Sequence, residues 1–178
     1  DDSVKDVPEW VYEARSKPLT GLETFNVNPG SVSSDELAGA IGRLPRSGGI
    51  IQFVGRGPFA FDVSEIAGPQ RVVFRGAAGS EPVLLLRSPV QLKGGQFDFV
   101  GVHIVTPGRD LAEGTGLMQV ESGTLLLRDS SVTVTDPSPQ SVAAIELSGG
   151  SAASRGLFEN VLFRGNNLTA VATHGPGV

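Results

Sequence analysis

Apolar and polar residues alternate in short stretches along most of this chain, and the alternation recurs at a nearly constant spacing. One phrase, apolar-polar-apolar-polar and then glycine or another turn-forming residue, starts at Val90, Met118, Ile145 and Val171, at intervals of 28, 27 and 26 residues. Residues two apart in a strand share a face, so each phrase predicts a short strand with one side inside. A repeat of this length predicts a solenoid in which each repeat is one coil stacked on the last.

A second phrase, a large apolar residue, any residue, then Gly, Asp or Asn, recurs in step with the first. Its third position is Gly76, Gly101, Asp129 and Asn160 in successive copies. A sharp bend between two strands commonly needs a residue with positive φ, which Gly adopts freely and Asn and Asp tolerate best among the others. We expect these four residues at equivalent bends, with Asp129 and Asn160 hydrogen-bonded along the stack.

The alternation also assigns side chains to the inside and the outside of the solenoid. The predicted inward residues of the two phrases are Val72, Phe74, Phe97, Phe99, Leu125, Leu127, Val90, Leu92, Met118, Val120, Ile145 and Leu147. The predicted outward column beside the bend is Arg75, Val100, Arg128 and Glu159. We expect Arg128 and Glu159 to form a surface ion pair worth less than about 1 kcal/mol. The strands are predicted to be about three to six residues long.

Before the repeats, residues 34–44 have the pattern of one short amphipathic helix. Leu37, Ile41 and Leu44 fall on one helical face. Acidic residues occupy the first turn, where the helix dipole favours anions, and Pro45 follows the last turn. Solenoids need caps that cover the core at their ends, so we expect this helix to be the N-terminal cap of the stack.

Residues 1–24 contain neither phrase and are predicted to form an N-terminal extension that packs on the solenoid. They include the single Trp and the single Tyr of the chain, Trp10 and Tyr12. Two residues apart, these side chains share a side if the segment is extended. We expect both to pack over the end of the core.

The amino-acid composition excludes some kinds of catalytic and metal-binding site and makes some binding partners unfavourable. The chain has no cysteine, which excludes disulfide bonds, thiolate catalysis and cysteine-based zinc sites. Its 14 basic and 19 acidic residues give a net charge of -5 with no run of Lys or Arg, so we expect no nucleic-acid partner and favour neutral or cationic ones. No stretch approaches the roughly 20 apolar residues of a membrane-spanning helix, and we expect no membrane insertion.

The last copy of the first phrase ends at Gly175, and no capping helix follows it. Exposed core and strand edges at the end of a solenoid normally require cover. We therefore expect a solenoid truncated at its C-terminus, in which either the remainder of a longer chain or an end-to-end oligomer covers the last coil.

The start of the repeats resembles that of a known family. It contains a short strand with a turn, the end of the predicted helix and an apolar strand: Phe25-Asn26-Val27-Asn28-Pro29-Gly30, Ala40-Ile41-Gly42-Arg43-Leu44-Pro45 and Gly48-Gly49-Ile50-Ile51-Gln52-Phe53. Together with the repeats, these segments resemble the right-handed parallel β-helix superfamily, the pectin lyase-like fold. The resemblance implies an all-β, right-handed parallel β-helix of about four to five coils over residues 25–178. It leaves function open, because the superfamily holds polysaccharide lyases, glycosidases, esterases, epimerases, phage adhesins and non-catalytic binding modules.

Enzymes of this superfamily generally use clustered carboxylates and an Arg or Lys on the outer face of one sheet, so a site should occupy matching positions in successive coils. Charged residues occur in an outward column of the first phrase and in the loops that precede that phrase. The candidate ligand-binding residues are Lys93 and Glu121 in the column and Arg109, Asp110, Glu113 and Asp136 in the loops. Glu146 lies in a different column, and we expect His103 and His174 to be exposed on strands. We predict no catalytic residue, no metal site and no cofactor.

These observations favour a non-catalytic parallel β-helix module, a binding, sensing or spacer domain of a larger extracytoplasmic protein that contacts a polysaccharide or a protein surface. The alternative is a fragment of a carbohydrate-active enzyme, a polysaccharide lyase, glycoside hydrolase or esterase, whose decisive coils lie outside this segment. A dedicated sugar-binding module is disfavoured, because sugar platforms use exposed aromatic residues and only 6% of the chain is aromatic, with most Phe assigned inward.

Overall fold

The computed structural model describes residues 7–28, 35–108, 114–136 and 141–175. This part of the chain folds into a nearly all-β solenoid of about five coils with two short helices, neither of which is long and apolar enough to cross a membrane. The helices are α1 (Glu9–Ser16) and α2 (Asp35–Gly42). The strands are β1 (Glu23–Val27), β2 (Gly49–Phe53), β3 (Phe59–Ala60), β4 (Glu65–Ala67), β5 (Arg71–Gly76), β6 (Val83–Leu85), β7 (Val90–Lys93), β8 (Gln96–Val100), β9 (His103–Thr106), β10 (Gly116–Glu121), β11 (Thr124–Val134), β12 (Val142–Ser148), β13 (Arg155–Arg164) and β14 (Leu168–His174).

Three faces form the wall of the solenoid. Face 1 contains β1, β2, β5, β8 and the first halves of β11 and β13, and face 2 contains β3, β6, β9 and the second halves of β11 and β13. Face 3 contains β4, β7, β10, β12 and β14. Strands of successive coils pair in parallel on every face, so each coil passes through faces 1, 2 and 3 in turn. The predicted all-β parallel solenoid is confirmed.

The repeat positions stack as predicted. Met118 pairs with Val90 on one side and with Ile145 on the other, and Ile145 pairs with Val171. All the predicted inward residues are buried in one hydrophobic cluster. Because stacked coils place equivalent residues above one another, Phe74 and Phe99 stack with ring centroids 4.5 Å apart. The core is therefore one continuous interior along the stack.

The predicted bends lie between face 1 and face 2. Gly101, Asp129 and Asn160 have φ values of 62°, 49° and 52°, as expected. Gly76 differs, because its φ is not positive; a Cβ there would lie 2.6 Å from the carbonyl oxygen of Ser80, so close approach of the backbone requires Gly. Asn160 Nδ2 donates to Asp129 Oδ1 at 2.8 Å, which confirms the predicted hydrogen bond along the stack.

Two strands are much longer than expected. β11 has 11 residues and β13 has 10 residues, whereas the turn pattern predicts about three to six. Each runs through its bend because a single left-handed residue, Asp129 or Asn160, turns the chain while the residues on both sides continue to pair. Faces 1 and 2 are therefore joined directly in the later coils.

The helix α2 covers the first coil, as predicted for an N-terminal cap. Leu37 and Ala40 are buried, and Ile41 and Leu44 pack against the core at its edge. The helix ends at Gly42, slightly before the predicted end, and contacts β1. Its apolar stripe closes this end of the interior.

In the N-terminal extension, the positions of Trp10 and Tyr12 differ from the prediction. Trp10 and Tyr12 lie in α1, not in an extended segment, and positions two apart on a helix point about 200° away from each other. Tyr12 is 57% exposed, whereas the Trp10 ring lies over the guanidinium of Arg155, 5.4 Å from the ring centroid. α1 crosses the outside of face 1 and buries Val11 and Ala14 there, so it does not cover the end of the core.

The last coil is less covered than the others. Its apolar residues Phe158, Val161, Phe163, Leu168 and Val171 pack against the core but remain partly exposed. In the part of the chain that the structure describes, β13 pairs only with β11 and β14 pairs only with β12. The outer edges of these two strands therefore meet no further described strand.

Candidate functional site

The N-terminal segment crosses several coils on the outside of face 1, and we call residues 9–19 the strap. Arg71 Nη1 donates to the carbonyl oxygens of Lys17 at 2.6 Å and Pro18 at 3.3 Å. Gln96 Nε2 donates to the carbonyl oxygen of Ala14 at 3.3 Å. The last carbonyl groups of a helix lack intrahelical partners and carry partial negative charge, so the cationic Arg71 stabilises the C-terminal end of α1.

Beneath the strap, Arg71 and Asp98 form a buried ion pair. Their side chains are 7% and 3% exposed, and Arg71 Nε and Nη2 donate to Asp98 Oδ2 at 2.9 and 2.5 Å. Gln96 Nε2 donates to the other carboxylate oxygen, Oδ1, at 2.8 Å. Because both oxygens accept from buried donors, the cluster is satisfied only while all three side chains are present.

Sequence reasoning missed this cluster. Asp98 alternates with Phe97 and Phe99, which places it on the outside of the coil, two residues beyond Gln96, the residue that pairs in register with Arg71. The proximity of the two charges was therefore predictable from the register of the two strands. Their burial was not, because it comes from the strap, which lies outside the repeat.

A ladder of polar side chains runs along the outward column beside the bend. Gln52 Nε2 donates to Asn26 Oδ1 at 3.1 Å, and Arg75 Nε donates to Gln52 Oε1 at 3.2 Å. The next position is Val100, which pairs with Arg75 in register. The valine side chain has no hydrogen-bonding atom, so the ladder is interrupted there.

The ladder resumes beyond Val100. Arg128 pairs in register with Val100 and with Glu159, and Arg128 Nε donates to Glu159 Oε2 at 2.7 Å, which confirms the predicted pair. Arg15 of the strap contacts the other carboxylate oxygen, Oε1. Burial alone would raise the pKa of Glu159, but the hydrogen bonds from Arg128 and Arg15 outweigh burial and hold that pKa below its ordinary value.

A cleft of about 400 Å³ lies between the strap and this column, and we call it the strap cleft. Its charged lining residues are Arg15, Lys17, Arg71, Arg75, Arg128 and Asp98, and Val100 contributes apolar surface. The fold thus gathers cations from the strap and from separate coils, although no run of Lys or Arg occurs in the sequence. A second cleft of about 430 Å³ on the other side of the strap has mixed charge, with Glu13 and Arg155 in its lining. The strap cleft is therefore the better candidate for binding an anion.

Face 3 brings two of the predicted candidates together. Glu121 pairs in register with Lys93, and Lys93 Nζ donates to Glu65 Oε2 at 2.7 Å. The hydrogen bond to Glu65 raises the pKa of Lys93 against the opposing effect of desolvation, and the charges of Glu65 and Glu121 raise it further. These residues form a charged ladder on the outside of the coils.

Of the four loop candidates, the structure describes Asp136 alone. Outside the described residues lie Arg109, Asp110 and Glu113, so their convergence stays a prediction. Asp136 follows β11 at the corner that leads into face 3, whereas Lys93 and Glu121 end their strands at the opposite edge of that face. The structure therefore separates Asp136 from the candidates on face 3.

Glu146 lies in its own column on face 3, as expected. Its Oε2 accepts a hydrogen bond from the backbone N–H of Gly116 at 3.0 Å, and its Oε1 lies 3.9 Å from His174 Nε2. The His174 side chain is 60% exposed on β14, as predicted, whereas His103 on β9 is half-buried with Nδ1 2.9 Å from Ser131 Oγ. Within the described ranges, no group of three or more His, Cys, Asp or Glu side chains is placed to hold a metal ion.

Comparisons with protein-family models, with curated proteins and with solved structures find no match to this chain. The solenoid fold is therefore supported by the chain's own structure.

Proposed function

We propose that this chain is a non-catalytic parallel β-helix module of the right-handed, pectin lyase-like kind. It serves as a binding, sensing or spacer unit of a larger protein outside the cytoplasm. The observation that carries this proposal is the use of outward charged side chains to hold coils and strap together. Arg71 pairs with Asp98, Arg128 with Glu159 and Lys93 with Glu65 between coils, and Arg15 of the strap pairs with Glu159.

A catalytic acid or base needs an oxygen that faces the substrate and a pKa near the operating pH. Glu159 instead accepts from two arginines, which move its pKa further from neutrality. Asp98 lies under the strap and accepts hydrogen bonds on both oxygens. Carboxylates in such positions stabilise the stack, which suits a stiff module that presents its surface to a partner.

The partner that we propose is a polysaccharide or a protein surface, and the last coil provides a further contact region. Its strand edges and the partly exposed Phe158 and Phe163 suit an additional coil, supplied by the remainder of a longer chain or by a second copy. Because α2 covers the first coil, a second copy would dock through its own last coil and give an end-to-end dimer.

Incubation of the chain with acidic and neutral polysaccharides tests the proposal. We expect no release of reducing ends or unsaturated products above that of heat-denatured protein. Turnover that disappears in Glu121→Gln or Lys93→Gln and persists in the control Arg87→Gln would overturn it. That result would establish the alternative, a fragment of a polysaccharide lyase, glycoside hydrolase or esterase. Fractionation of the source cells, followed with an antibody to the chain, tests the extracytoplasmic placement.

A further inference from the structure

The interruption of the outward ladder at Val100 lies in the strap cleft. Arg75 precedes Val100 by one coil, and Arg128 follows it by one coil. We propose that the strap cleft binds a small organic polyanion of the polycarboxylate class, whose carboxylates bridge Arg75 and Arg128 above Val100. This inference rests on the proposed function, since it names a ligand class for a binding module.

The donors for such a ligand are in place. Arg75 uses Nε for Gln52, and Arg128 uses Nε for Glu159. The terminal guanidinium nitrogens of both arginines have no hydrogen-bond acceptor among the residues that the structure describes. Equivalent backbone positions two coils apart are about 10 Å from each other, a span that long arginine side chains and a ligand with several carboxylates can close together. Each guanidinium presents paired N–H donors that match the geometry of a carboxylate.

The charge of the cleft matches an anion. The cations that line it are Arg15, Lys17, Arg71, Arg75 and Arg128. Two carboxylates offset part of this charge, since Asp98 pairs with Arg71 and Glu159 is shared by Arg128 and Arg15. Lys17 and Arg75 make no ion pair with any described residue, so the cleft keeps a positive surplus in a chain whose net charge is -5. An anion bound here would be held by charge-assisted hydrogen bonds in a partly enclosed site.

The shape of the cleft favours a small ligand over a nucleic acid. The strap walls one side, and the volume of about 400 Å³ lies in the range of small-molecule sites. Val100 offers apolar surface for the carbon skeleton of an organic acid. A nucleic-acid strand requires a basic stripe that follows many phosphates, whereas the positive charge here is confined to the strap and to the coils between β5 and β11.

Calorimetric titration of the full chain with citrate at low ionic strength tests this inference. We expect saturable binding that weakens as salt is raised. Arg75→Gln should weaken citrate binding by about tenfold or more, since it removes charge-assisted hydrogen bonds. The matched control is Arg87→Gln, which removes the same charge from a side chain that is 62% exposed and outside the cleft, and it should leave the affinity unchanged.

Val100→Gln provides a second variant that removes no charge. The amide oxygen of the new glutamine side chain can accept a hydrogen bond from Arg75 or Arg128 and so continue the ladder through position 100. Because Val100 is half-buried at the cleft, circular dichroism should show an unchanged fold. Citrate binding should weaken by about tenfold, because the internal amide competes for the same donors.

Several outcomes would overturn the inference. They are an absence of citrate binding at millimolar concentration, equal affinities for wild type, Arg75→Gln and Val100→Gln, inorganic phosphate binding as tightly as citrate, and tighter binding of a single-stranded oligonucleotide that also depends on Arg75. None of these outcomes would contradict the proposed non-catalytic role. That proposal is contradicted only if the chain turns over a polysaccharide.

Discussion

Replacement of Asp98 by alanine tests what holds the strap on face 1. Asp98→Ala removes the one carboxylate that pairs with the buried Arg71 among the described residues, and it also removes an acceptor from Gln96. Removing one partner of a buried ion pair costs about 3–5 kcal/mol, because the other charge stays desolvated. Arg71 retains the carbonyl oxygens of Lys17 and Pro18, so we expect the lower part of that range, about 3–4 kcal/mol.

Release of the strap limits how much stability the coils lose in Asp98→Ala. Once it leaves face 1, water reaches Arg71, and the coils lose no further stability from the missing carboxylate. The variant should therefore release its strap at a lower urea concentration than the coils unfold. Trp10 is the single tryptophan and lies in the strap over Arg155, so its fluorescence reports strap release, while far-ultraviolet circular dichroism reports the strands.

Urea titrations followed by both signals give the measurement. In the wild-type chain we expect the two signals to change together, whereas in Asp98→Ala the fluorescence transition should shift by the equivalent of about 3–4 kcal/mol. The matched control is Asp62→Ala, whose partner Arg87 is 62% exposed at 3.6 Å, and its cost should stay below about 1 kcal/mol. If Asp98→Ala shifts the fluorescence transition no further than Asp62→Ala does, the buried ion pair does not hold the strap on face 1.

Two further predictions concern pH and backbone packing. The folded-state pKa of Glu159 is lowered, so its ion pairs stabilise the fold above the ordinary glutamate pKa of about 4.3, and this stabilisation is lost as pH falls through the lowered value. Urea unfolding at a series of pH values should therefore show a steeper loss on acidification for the wild type than for Glu159→Gln, and parallel curves would contradict this. Gly48 and Gly68 have φ values of 99° and 101°, so alanine strains both by about 1–2 kcal/mol. A Cβ at Gly48 would lie 1.7 Å from the Arg71 carbonyl oxygen, whereas one at Gly68 meets nothing within 4 Å. Thermal unfolding should show Gly48→Ala to be more destabilising by about 1–3 kcal/mol, and equal losses would exclude the clash.

The interior and the register of the coils could be predicted because both follow from periodicity. Alternation by two separates inside from outside, and a repeat near 27 residues brings Met118 over Val90 and under Ile145. The bends at Asp129 and Asn160 were predictable for a different reason, since few residue types tolerate positive φ. At Gly76 the prediction of positive φ was wrong, because Gly is also required where another part of the backbone approaches closely.

The strap and the cleft could not be predicted from the same signals. A helix that docks on the outside of a solenoid shares no period with the coils, and here it is held largely through its backbone carbonyl groups, which every sequence possesses. The repeat does place Arg75 and Arg128 in one column. It contains no information about Lys17, which reaches the cleft only because the strap folds back across face 1.

The strap also couples the beginning of the chain to its later parts during synthesis. Gln96 lies 82 residues beyond the carbonyl group of Ala14 that it binds, and Arg15 contacts Glu159 in the last coil. Neighbouring coils can assemble one after another as a nascent chain emerges, because each rung needs only the one before it. Helix α1 can complete its native contacts only after Gln96 and Glu159 have been synthesised. Docking of the strap on face 1 therefore follows assembly of the coils and depends on contacts between residues far apart in sequence.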